Sequence, residues 1–77
     1  MATTEIEVNK STWTLVLDGL GFVYSEDRIQ YDFKATSPTT ERGILLPKCS
    51  QINGASGQKL WAKAVDQETT KVYSTAV

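Results

Sequence analysis

The chain contains no histidine and only one cysteine, Cys49. Without histidine there is no ordinary general base for a serine or cysteine nucleophile and no typical zinc site. One thiol cannot form an internal disulfide. Nor is there an excess of charge: eight basic residues stand against nine acidic ones, a formal net charge of −1, with the signs interspersed. That balance carries no electrostatic footprint for nucleic acid or an anionic membrane, so neither is expected as a partner. Apolar runs such as GILLP at residues 43–47 fall far short of the roughly 20 residues that span a bilayer. The opening MATTEIEV has neither the basic nor the apolar region of a signal peptide, so synthesis in a cytoplasm, with Cys49 reduced, is expected.

The remaining candidates for chemistry are weak. Cys49 has only Lys48 beside it as an activating neighbour, which suits an inert, partly buried thiol. The carboxylates of Asp18, Asp32, Glu26 and Asp27 fall in turns or on polar strand positions, where they are ordinarily solvated. The run Asp18-Gly19-Leu20-Gly21 lacks the lysine and following helix of a phosphate loop, and nothing like an EF-hand surrounds Glu26-Asp27. No enzyme activity, catalytic residue, cofactor or metal is expected.

What the sequence does contain is strand patterning. In RIQYDFKA, residues 28–35, Ile29, Tyr31, Phe33 and Ala35 alternate with Arg28, Gln30, Asp32 and Lys34, the period of a half-buried strand. Tyr31 and Phe33 are expected in the core, where truncation of either to alanine costs on the order of 3 kcal/mol. The four polar residues read as a solvated sheet surface. Residues 5–10 read as an edge strand with Glu5 and Glu7 turned outward. Residues 12–17 place Trp13, Leu15 and Leu17 on one face and Thr14 and Val16 on the other. The two glycines of residues 18–21 predict a tight reversal from which residues 22–24 return antiparallel, and residues 25–27 predict the next turn.

Residues 36–42, TSPTTER, are the most loop-like segment, with Pro38 lacking an N–H. Residues 43–47 then read as a short strand buried on both sides, and residues 48–52 as another. Residues 53–58, NGASGQ, carry the Asn-Gly pair of a hairpin turn. Residues 59–65 and 71–77 flank a five-residue polar connection and read as a closing hairpin. Leu60, Trp61, Ala64 and Val65 also sit at helical spacing, but Gly57 and the Thr69-Thr70 pair confine any helix to about ten residues, too short to be stable without strong packing.

The 77 residues are thus expected to form one domain, residues 1–77. It is predicted to be all-β, a small antiparallel β-sandwich or barrel of seven to eight short strands. A chain of this size buries only about 60% of its unfolded surface, so self-association or docking on a larger partner is expected to supplement the core. The aromatics Trp13, Phe22, Tyr24, Tyr31, Phe33, Trp61 and Tyr73 are spread over nearly every strand. Most suit core packing, while Trp61 faces away from Leu60, Ala62 and Ala64 and suits an interface.

The order of strands W-T-L-V, F-V-Y, I-Q-Y-D-F, then S-P-T-T and G-I-L-L-P, then G-Q-K-L-W-A-K-A and K-V-Y-S-T-A, resembles small virion proteins of tailed bacteriophages. The likeness spans Trp13 to Ala76. It implies an all-β module of the virion, made in the host cytoplasm. Such a module decorates or cements the capsid, or adapts a fibre, through contacts with phage capsid or tail proteins and as a homo-oligomer. The implied contact residues are Trp61 and Tyr73, with Pro38, Thr39, Thr40 and Arg42 in the exposed loop. The rival readings are a carbohydrate- or protein-binding β module of a fibre or tail and, third, an OB-like nucleic-acid binder.

Overall fold

A computed structural model of the chain describes residues 2–36 and 43–76. It contains eight strands: β1 (Ala2–Asn9), β2 (Thr14–Asp18), β3 (Gly21–Ser25), β4 (Ile29–Phe33), β5 (Ile44–Leu46), β6 (Ser50–Gly54), β7 (Lys59–Ala64) and β8 (Thr69–Ala76). They form two four-stranded sheets, in the orders β1-β8-β3-β6 (sheet A) and β2-β7-β4-β5 (sheet B). Every pairing is antiparallel. The all-β sandwich expected from the sequence is therefore present.

The pairs β1·β8, β2·β7, β3·β6 and β4·β5 are each hydrogen-bonded neighbours. A ribbon of four nested strand pairs wrapped into two sheets in this way is a jelly roll, built from two Greek keys. It is not the five-stranded barrel of an OB fold. The wrapping corrects two expected hairpins. Residues 18–21 do reverse the chain, with Gly19 at φ +97°, but they carry it from sheet B into sheet A, so β3 lies beside β8 and β6 rather than β2. The connection between β7 and β8 likewise crosses between sheets. Both turns are too short for a helix, yet each spans the sandwich instead of closing a hairpin.

The core is built from small and medium side chains. Sheet A contributes Val8, Val23 and Val72; sheet B contributes Val16, Leu17, Ile29, Leu46, Leu60, Ala62 and Ala64. Ile6, Tyr31, Phe33 and Ile52 pack partly buried against this cluster. Tyr31 and Phe33 are thus half-buried rather than central, and meet edge-to-face with ring centroids 6.0 Å apart. Ile29, 1% exposed, is the residue through which β4 anchors the core.

In β2 the simple alternation fails. Leu15 pairs with Trp61 and Leu17 with Leu60, so Val16 is an extra residue bulged out of the ladder. A bulge reverses which side chains face inward beyond it. Val16 and Leu17 are both buried, while Leu15 is 37% exposed on the other face. Trp13, Leu15 and Leu17 therefore do not share a face.

Two further expectations are corrected. β5 is the last strand of sheet B, with Leu46 buried but Ile44 and Leu45 58% and 50% exposed, so it is not covered on both sides. Asn53 and Gly54 belong to β6, and the turn that follows uses Gly57 at φ +84°. Gly54 is required for another reason: a β-carbon there would lie 2.6 Å from Cδ2 of Leu17 and 2.8 Å from the carbonyl oxygen of Gly19.

Candidate functional site

Alternation along each strand assigns the outer faces of the sandwich. On β7, Leu60, Ala62 and Ala64 are buried, which turns Lys59, Trp61 and Lys63 outward. The strand register then lays out the outer surface of sheet B in rows. Trp61 lies between Leu15 on β2 and Asp32 on β4. Lys63 lies opposite Gln30, which in turn faces Leu45, and its Nζ sits 5.3 Å from the centroid of the Trp13 ring. At the other end, Lys59 has Asp18 on one side, and on the other Lys34, whose N–H donates to the Lys59 carbonyl at 3.1 Å.

Both tryptophans are tethered along the sheet surface. Trp61 Nε1 donates a 3.0 Å hydrogen bond to the Lys34 carbonyl at the end of β4. Trp13 reaches Gly43, where an added β-carbon would lie 2.6 Å from its Cη2. Gly43 is held there by its own N–H, which donates to Gln30 Oε1 at 2.8 Å. The Trp61 ring is thereby held along the sheet rather than standing off it, and both tryptophans are half-buried.

The outer surface of sheet A has a different character. Tyr73 on β8 lies between Glu5 on β1 and Tyr24 on β3, and Tyr24 faces Gln51 on β6. Lys71 is paired with Glu5, Nζ to Oε1 at 2.8 Å. An open concavity of 280 Å³ beside Tyr73 is lined by Glu7, Glu26, Asp27, Thr70 and Lys71 among others. Asp27 is held within it by the buried Thr70 hydroxyl, which donates to Oδ2 at 2.7 Å. The Tyr24 hydroxyl is pushed above its ordinary pKa, first by its hydrogen bond with the Cys49 thiol and then by burial. Cys49 itself is exposed, correcting the partly buried thiol expected from the sequence.

Trp61 and Tyr73 therefore lie on opposite outer faces, and the fold does not bring them together. Pro38, Thr39, Thr40 and Arg42 lie outside the described residues. The structure adds Trp13, Leu15, Asp32, Lys34, Lys59 and Lys63 to the surface around Trp61. The K-x-W-x-K alternation of residues 59–63 signals the β7 part of this group. The lysines look scattered in sequence because β4 and β7, which carry them, are neighbours only in the sheet. Among the described residues no group of three or more histidine, cysteine or acidic side chains is arranged to hold a metal ion. Compared with protein-family models, curated proteins and solved structures, the chain has no match.

Proposed function

We propose that the chain is a non-enzymatic structural protein of a phage virion, a small jelly-roll module that docks on the repeating surface of a capsid or tail and assembles there as an oligomer. The observation that carries this reading is the apolar rim that sheet B exposes among the described residues. Its last strand, β5, leaves Ile44 and Leu45 58% and 50% exposed, while ten hydrophobic side chains among the described residues are buried in the core. A sheet edge that presents apolar side chains and unpaired backbone groups is a template for another protein surface. A partner covering it adds the burial that so short a chain lacks and stabilises the folded form by mass action. The strand-by-strand resemblance to phage virion proteins supplies the identity of the partner. Jelly rolls also recur in viral capsid and lectin domains, an analogy at the level of fold only.

Mass spectrometry of particles purified from cells producing the chain tests the proposal. The expected result is the chain at a fixed copy number matching the symmetry of capsid or tail. An Ile44→Asp/Leu45→Asp variant that still folds should be lost from the particles. Abundant chain in the lysate with none in the particles overturns the proposal.

A further inference from the structure

The fold sorts charges that the sequence intersperses. On the strands of sheet A, Glu5 and Glu7 accompany Lys71, already paired with Glu5, and Glu26 and Asp27 lie in the turn beside them. On the outer surface of sheet B, Lys34, Lys59 and Lys63 accompany Asp18 and Asp32, a local balance of three cations to two anions. Lys34 and Lys59 lie opposite one another, with Asp18 on the far side of Lys59, and two ammonium groups so placed favour an anion between them. Trp61 lies between them and Lys63, its ring tethered to Lys34, and Trp13 lies beside Lys63.

From this we infer that the outer face of sheet B is a binding surface for an acidic glycan, a sugar chain bearing carboxylates. The Trp61 indole, held along the sheet by its hydrogen bond to Lys34, stacks against the C–H face of a sugar ring. The ammonium groups of Lys34 and Lys59 then meet a sugar carboxylate through charge-assisted hydrogen bonds. Asp32, opposite Trp61, accepts hydrogen bonds from sugar hydroxyls. Single-stranded nucleic acid stacks on similar platforms but brings a phosphate with every nucleotide and needs a continuous basic groove. Two carboxylates within this face disfavour such dense negative charge and tolerate the sparser charge of a glycan. β5 pairs with Ile29, Gln30 and Tyr31, whereas Lys34 and Lys59 lie at the other end of β4 and β7, so the lysine end of this face does not adjoin the residues that β5 borders.

An array of uronate-bearing, sialate-bearing and neutral glycans, together with an oligothymidylate, probed with the full chain tests the assignment. The expected result is binding to acidic glycans that falls at least tenfold when their carboxylates are methyl-esterified. Trp61→Ala and Lys34→Gln/Lys59→Gln should each reduce it at least tenfold, and Gln51→Ala on the opposite face should leave it unchanged. The lysine variant alters only exposed or half-buried positions, so thermal unfolding like that of the parent chain separates loss of binding from loss of fold. Absence of signal on every acidic glycan, equal signal on neutral ones, or tighter binding to oligothymidylate overturns the assignment. None of these outcomes affects incorporation into particles, which tests the docking proposal separately.

Discussion

The indole nitrogen of Trp61, on β7, donates a 3.0 Å hydrogen bond to the carbonyl of Lys34, 27 residues earlier in the chain. The bond runs from β7 to the end of the adjacent β4 and fixes the ring along the outer surface of sheet B. Trp61→Phe keeps an aromatic ring but removes the donor. Because the carbonyl left behind is accessible to water, the expected loss is at most about 1 kcal/mol. Urea denaturation checks it; a loss several times larger would mean that the indole is a packing element rather than a tethered surface ring.

The burial gradient along β4 separates its three inward apolar residues. Ile29 is 1% exposed, whereas Tyr31 and Phe33 are only partly buried. Ile29→Ala is expected to cost about 2–5 kcal/mol, enough to remove most of the stability of a domain this small. Tyr31→Ala should cost less despite the larger side chain. Chemical denaturation of the two variants compares them directly, and the reverse order would contradict the arrangement of the core.

Gly43 admits no β-carbon, which would lie 2.5 Å from the Tyr31 carbonyl oxygen and 2.6 Å from Trp13 Cη2. Gly43→Ala should therefore force the start of β5 away from β4, at a cost of about 1–3 kcal/mol. The signature is altered Trp13 fluorescence together with reduced stability. By contrast, Gly57 has open space around it but a φ of +84°, so Gly57→Asn should be tolerated better than Gly57→Val.

Arg28 grips Asp66 with two hydrogen bonds, Nε to Oδ2 at 2.8 Å and Nη2 to Oδ1 at 2.5 Å. The hydrogen bonds from the guanidinium hold the Asp66 carboxyl below its ordinary pKa of 3.8, against a smaller opposing effect of burial. A carboxylate whose pKa is lower in the folded state contributes stability that is present above its unfolded value and lost as pH falls through the folded one. Both side chains are exposed, so the contribution is small. The stability difference between the parent chain and Asp66→Asn should be present near neutral pH and close on acidification below 3.8. A difference that grows on acidification would contradict the pairing.

The parts of the fold written in local periodicity were legible from the residues. The alternations in residues 28–35 and 59–64 identify β4 and β7, and Glu5 and Glu7 mark β1 as an edge. The turn chemistry at Gly19 was legible as well. What local patterns do not carry is which sheet a strand joins after its turn. A short glycine turn closes a hairpin or crosses a sandwich with the same residues, and here the crossings after β2 and β7 are fixed by pairing with strands distant in sequence. The bulge at Val16 was invisible for a related reason: it is defined by the two residues of β7 opposite it. The lysines of sheet B escaped notice because Lys34 and Lys59 become neighbours only when β4 and β7 pair.

Amide hydrogen exchange of the chain, free and bound to particles, bears most directly on the claim that it works by docking through the apolar rim of sheet B. New protection is expected over β5, residues 44–46, with the outer strand β1 of sheet A exchanging as in the free protein. Protection concentrated on β1 and β8, with β5 still exchanging freely, would contradict it.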